Sequence, residues 1–129
     1  MSESFKIQDI EVGTGKLFFL LGPCALESEE FAWEMARSIH DIATRLGIPF
    51  AFKASYDKAN RTSVSSFRGP GVEEGCRILA AIGKELGIPV TTDVHTAQEA
   101  AIARVAPRLM TCLVEEAQVR RDRGADRPL

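Results

Sequence analysis

Leu17–Leu21 reads LFFLL, an unbroken apolar run that stops at Gly22-Pro23. A short run of this kind predicts a strand buried on both faces. Ahead of it, Phe5–Ile7 and Ile10–Val12 alternate apolar and polar positions and predict a small hairpin. Behind it the period changes. Ser28 opens a helical pattern with Glu29 and Glu30 in its first turn, where the helix dipole favours acids. Phe31, Met35, Ile39, Ile42 and Leu46 recur at helical spacing until Gly47 ends the helix. Pro49–Ala54 (PFAFKA) predicts the next strand, and Val72 to Leu86 a second helix with Ile78, Leu79 and Ile82 on one face and Gly87 as its stop. Ile88–Thr91 predicts a third strand and Thr96–Val105 a third helix. The text LGIP occurs twice, at Leu46–Pro49 and Leu86–Pro89, each time joining a helix to a strand. Strands alternating with helices through a repeated connector give an α/β fold with a parallel sheet.

After Pro107 the pattern dissolves. A fourth strand is due there, but Arg120–Leu129 holds four arginines and almost no aliphatic residue, a composition that supports no packed element. The expected organisation is therefore ordered βα repeats over 1–106 and a divergent, disordered tail over 107–129.

The 129 residues suffice for one domain with a real core, and the 45% hydrophobic, 26% charged composition is ordinary for a globular protein. A net charge of −2 gives no global reason to expect nucleic-acid binding. Cys24, Cys76 and Cys112 lack paired or metal-knuckle spacing, which suits a reducing compartment. The N-terminus lacks the basic and apolar regions of a signal peptide, and no apolar run is long enough to span a bilayer. The expectation is a cytoplasmic protein with neither membrane nor nucleic acid as partner.

Charge concentrates in one place. Phe52–Gly71, FKASYDKANRTSVSSFRGPG, carries Lys53, Lys58, Arg61 and Arg68 against Asp57 alone, among Ser55, Asn60, Thr62 and further hydroxyls. Cations beside hydroxyls and backbone N–H groups hold a phosphate or carboxylate from several sides. The loop leaves the end of a strand, and parallel βα folds gather their ligands at such ends. Two other strand ends are polar in the same way: Gly22–Ser28 (GPCALES) and Thr92–His95 (TDVH). Lys53 is read as an ammonium aimed at an anion or as a lysine snorkelling at the rim. Asp93 is read as orienting a lysine or a sugar hydroxyl, or as capping the helix near Thr96. Cys24 is read as a small core residue or a metal-ligating thiolate, and His95 as a structural group or a ligand.

GPCALES, FKASYDKANRTSVSSFRGPG and TTDVH, in that order and spacing over about residues 5–106, closely resemble the 3-deoxy-D-manno-octulosonate 8-phosphate synthase family. The resemblance implies condensation of phosphoenolpyruvate with D-arabinose 5-phosphate and release of phosphate, a step in building the inner sugar of lipopolysaccharide. The related heptulosonate-phosphate synthases share the GPC strand end but lack the DKANR run. The resemblance also implies a (β/α)8 TIM barrel behind an N-terminal hairpin, assembled as a homotetramer. Lys53, Ser55 and Lys58 fall where the family contacts phosphoenolpyruvate, and Asn60, Arg61 and Thr62 where it holds arabinose 5-phosphate. Lys58 and Asp93 are the catalytic candidates. Cys24 matches the cysteine of the metal-dependent branch, which implies a divalent ion such as zinc, iron or manganese.

A whole barrel takes about 250 residues, and this pattern shows a hairpin and about three βα units. The family's other metal ligands, a histidine, a glutamate and an aspartate on later strands, find no match here. The expectation is a partial barrel that is inactive by itself, with an end that reads like an out-of-frame or prematurely stopped gene. The alternatives are a non-catalytic half-barrel remnant and a self-associating phosphosugar-binding module, and a heptulosonate-phosphate relative ranks behind both.

Overall fold

Phe5–Ile7 (β1) and Ile10–Val12 (β2) pair antiparallel, with Phe5 opposite Val12 and Ile7 opposite Ile10. Gln8 turns the chain between them at φ 52°, the left-handed conformation that a two-residue hairpin requires. The structure, a computed structural model, describes residues 3–57 and 69–104, and 109–113 by their backbone.

Phe19–Leu21 (β3), Phe50–Lys53 (β4), Val90–Val94 (β5) and Leu109–Leu113 (β6) form a parallel sheet in the order β3-β4-β5-β6. Glu29–Leu46 (α1), Val72–Leu86 (α2) and Ala97–Ala103 (α3) connect successive strands. α1 packs on α2 and α2 on α3, so the helices stand side by side in chain order. The α/β alternation is thus as the hydrophobic pattern predicts.

Local chemistry fixes the helix ends. Ser28 Oγ accepts from the Phe31 N–H at 3.0 Å and caps α1. At the other end Gly47 takes φ 66°, and the Ile48 N–H reaches back to the Ala43 carbonyl at 3.0 Å. The second LGIP does the same: Gly87 sits at φ 65° and the Ile88 N–H bonds to the Gly83 carbonyl at 3.2 Å. The repeated text is therefore a repeated helix stop, in which glycine supplies the left-handed turn and isoleucine closes the last carbonyl.

Phe50, Phe52, Ile78, Leu79, Ile82, Val90 and Val94 are buried in one core. The predicted apolar face of α2 is the buried one. On α1 the outcome is different: Ala32, Ala36 and Ala43 are buried, while Met35 and Ile39 pack at the core's margin. Ile42 and Leu46 are exposed at 47% and 64%. The alanine stripe lets the helix approach its neighbours closely, which turns the predicted stripe of large residues partly outward.

β3 is shorter than the apolar run that predicts it and is not buried on both faces, with Leu17 77% and Leu20 47% exposed. Two further elements differ from the sequence expectation. The third strand begins at Val90 because Ile88 is used in the α2 stop, and it continues to Val94 because β6 pairs with it throughout. Asp93 is thus inside a strand and not in the loop beyond it. The second difference is β6 itself, which lies within the stretch expected to be a disordered tail and runs in register from Val90↔Leu109 to Val94↔Leu113. The rest of that tail, residues 114–129, lies outside the described residues. Among the described residues, no helix is long and apolar enough to cross a membrane.

Candidate active site at the strand ends

The C-terminal ends of β3, β4 and β5 are drawn together by backbone contacts. Leu21 pairs with Phe52, and Gly22 lies so close to the Lys53 carbonyl that a Cβ at position 22 would collide with it. The Leu26 N–H donates to the Ser55 carbonyl at 3.0 Å, which ties the segment after β3 to the segment after β4. Thr92 Oγ1 donates to the Ala54 carbonyl at 2.8 Å and ties β5 to β4. Glycine at 22 and threonine at 92 thus have specific mechanical roles.

On this platform Lys53 is half-buried at the last position of β4, Ser55 is fully buried, and Cys24 is exposed on the segment after β3. The two stems of the segment expected to bind an anion meet at one spot. The Gly71 N–H bonds to the Tyr56 carbonyl at 3.2 Å, and Gly69, at φ 123°, presses against that same carbonyl. Asp57 and Gly69 therefore stand side by side as the loop's two stems. Lys58, Asn60, Arg61 and Thr62, the remaining candidates in the loop, lie outside the described residues.

Asp93 is 5% exposed, and its Oδ1 has no hydrogen-bond partner among the described residues. A buried carboxylate oxygen without a partner is costly, which marks it as a place where a ligand or a solvent molecule belongs. Its Oδ2 lies 3.8 Å from His95 Nε2, and that nitrogen lies 3.2 Å from the Asp57 carbonyl. Both neighbours of Nε2 are acceptors, so Nε2 is a ring nitrogen that donates. Asp93 does not cap α3. Thr96 does, with Oγ1 accepting from the Glu99 N–H at 3.1 Å.

Sequence reasoning passed over Tyr56 and Glu99. Tyr56 is 1% exposed, packs edge-on to the His95 ring at 6.3 Å, and donates its phenol proton to Glu99 Oε2 at 3.2 Å. Burial first, and then the adjacent Glu99 carboxylate, push the Tyr56 phenol well above its ordinary range, so it stays a donor. The signal for Glu99 was present in Thr96-x-x-Glu99, the pattern of a capping box.

The described residues contain no group of three or more His, Cys, Asp or Glu side chains arranged to hold a metal. Cys24 alone does not make such a site.

Comparison with known proteins adds to this geometry. The 2-dehydro-3-deoxyphosphooctonate aldolase of Koribacter versatilis is 54% identical over 103 residues, covering 80% of this chain and 37% of that protein. The protein of the same name from Acidithiobacillus ferrooxidans is 53% identical over 103 residues, 78% of this chain and 37% of that protein. The one from Polaromonas naphthalenivorans is 49% identical over 108 residues, 82% of this chain and 38% of that protein. The chain thus spans well under half the length of the curated relatives it matches. The sequence profile of the DAHP synthetase I family matches residues 3–107, which takes in all three polar strand ends. The chain belongs to the DAHP synthetase I family.

Proposed function

We propose that this chain carries substrate-binding strand ends of a 3-deoxy-D-manno-octulosonate 8-phosphate synthase, a carbon–carbon bond-forming transferase. The observation that carries this reading is identity near 50% to relatives named 2-dehydro-3-deoxyphosphooctonate aldolase, over the stretch that includes the DKANR run. The sheet, with strands in chain order and a helix after each of β3, β4 and β5, is read as the N-terminal part of a (β/α)8 barrel. Residues 1–106 then belong to the barrel domain, and β6 extends it. The enzyme is read as cytoplasmic and homotetrameric, as the resemblance implies.

In the reaction, C3 of phosphoenolpyruvate attacks the aldehyde carbon of arabinose 5-phosphate, and the aldehyde oxygen takes a proton. Water adds at C2, and the C2–O bond to phosphate breaks to release inorganic phosphate. Phosphoenolpyruvate brings a phosphate and a carboxylate. Lys53 and Lys58 are assigned to these charges, with Ser55 donating a hydrogen bond, because ammonium groups at a strand end stabilise anions where water is scarce. Asn60, Arg61 and Thr62 are assigned to the sugar phosphate, whose terminal group suits a bidentate guanidinium. The unpartnered Asp93 oxygen is assigned to a sugar hydroxyl or to the proton that moves at the aldehyde. The resemblance assigns Cys24 to a divalent metal, which would require ligands from outside the described residues.

The test is phosphate release from phosphoenolpyruvate by the gene product, with arabinose 5-phosphate or with a four-carbon aldose phosphate, alongside calorimetric binding of phosphoenolpyruvate. Binding of phosphoenolpyruvate without turnover is expected of residues 1–129 by themselves, with affinity falling at least about tenfold in Lys53→Ala. Dependence on the four-carbon aldehyde would move the protein to the heptulosonate branch. Robust turnover under any metal supplement would overturn the expected inactivity of residues 1–129, and a Lys53→Ala affinity equal to wild type would overturn the substrate-site reading.

A further inference from the structure

Glu99 has no part in the chemistry above, yet the ends of two strands meet on one of its oxygens. In the usual reciprocal arrangement of a Thr-x-x-Glu helix start, the glutamate carboxylate returns to the N–H of the capping threonine. Here Oε2 accepts instead from the N–H of His95, one residue earlier, at 3.0 Å. The same oxygen accepts from the Tyr56 phenol at 3.2 Å. Tyr56 precedes Asp57, whose carbonyl takes the proton of His95 Nε2 at 3.2 Å. These bonds close a ring: Tyr56 to Glu99, Glu99 to the His95 backbone, the His95 imidazole to Asp57, and Asp57 back to Tyr56 through the chain. Gly75 completes the seat, since any side chain there would strike Tyr56. The ring sits where the anion loop leaves the sheet, beside the unpartnered Asp93 oxygen.

We infer that Glu99 is a positioning residue: through Tyr56 and the His95 N–H it anchors the first stem of the anion loop and holds the His95 imidazole with Nε2 protonated against Asp57. A carboxylate is not essential to this task. What is essential is one oxygen able to accept twice, so a carboxamide suffices and a methyl group does not. The importance of the brace for substrate rests on the proposed function, whereas its effect on His95 does not.

The experiment uses the full chain with two readouts, the nitrogen-15 spectrum of the His95 ring and the affinity for phosphoenolpyruvate. Wild type is expected to show a single Nε2–H tautomer. Glu99→Ala is expected to mix the tautomers and to weaken phosphoenolpyruvate about tenfold, as the loss of a positioned charged acceptor does. Glu99→Gln should keep the wild-type tautomer and an affinity within about twofold, because the acceptor survives. A Glu99→Ala protein with the wild-type ring spectrum overturns the proposal, and so does a Glu99→Gln protein as impaired as the alanine variant. Should Glu99→Ala fail to fold by circular dichroism, Tyr56→Phe decides: a shifted His95 signal supports the brace and an unchanged one overturns it. If wild type binds no phosphoenolpyruvate, the functional reading fails while the tautomer readout still decides the role of Glu99.

Discussion

Gly69 shows how tightly one position can be specified. Its φ of 123° lies where L side chains are strained, and a Cβ there would drive into the Tyr56 carbonyl. Both penalties act together, so Gly69→Ala is expected to cost about 2–4 kcal/mol in chemical denaturation. A cost below about 0.5 kcal/mol would show that the two loop stems are not held together as described. The place of Lys53 and Ser55 at the end of a strand was legible in the sequence, because a polar residue that ends an apolar run has few places to go. Tyr56, the residue after Ser55, was hidden, since a tyrosine after a strand looks like ordinary core. Glu99 was hidden for a different reason. An acid in the first turn of a helix is expected from the dipole alone, and only the third dimension shows its oxygen turned back to His95 and across to Tyr56.

Among the elements, the helix stops were the most readable, because Gly47 and Gly87 act through local backbone geometry that LGIP encodes within a few residues. The strand limits were less readable. Whether β5 ends at Thr91 or Val94 depends on a partner strand nearly twenty residues further along, and that partner, β6, was itself masked by its arginine-rich continuation. Helix α1 shows how periodicity finds a helix and can still misjudge the packing face. Ala36 is fully buried, whereas Leu46 is 64% exposed. Ala36→Leu is therefore expected to destabilise by about 1–3 kcal/mol through overpacking, and Leu46→Ala to stay within about 0.5 kcal/mol. Paired denaturation curves check the order, and the reverse ranking would return the large residues of α1 to the core.

At the scale of the whole molecule, two buried acids set the alkaline limit. Burial, and then the Glu99 carboxylate, push the Cys76 thiol from its ordinary 9.0 up to about 11. The folded state keeps that proton while the unfolded chain gives it up from about pH 9, so stability is full below 9.0 and falls as pH rises towards 11. Tyr56 adds to the loss above its ordinary value of 10.0. Thermal melts across this window should show a declining midpoint, and Cys76→Ala should flatten the decline between pH 9 and 10. An equally steep fall in that variant would shift the cause to other groups. The exposed Arg77 that joins Glu29 of α1 to Glu74 of α2 contributes little to this balance, because solvent and salt screen such pairs.

The order β3-β4-β5-β6 is also the order in which the strands leave the ribosome. Each new strand finds its partner already present at the growing edge, and none has to wedge between two that are already paired. The sheet can accrete vectorially during synthesis, one βα unit at a time. Its earliest pairing, Phe19 beside Phe50, can form once about fifty residues have been made. Tyr56 is made soon afterwards, but its acceptor on α3 arrives more than forty residues later, so this one bond of the stem has to wait for the third helix.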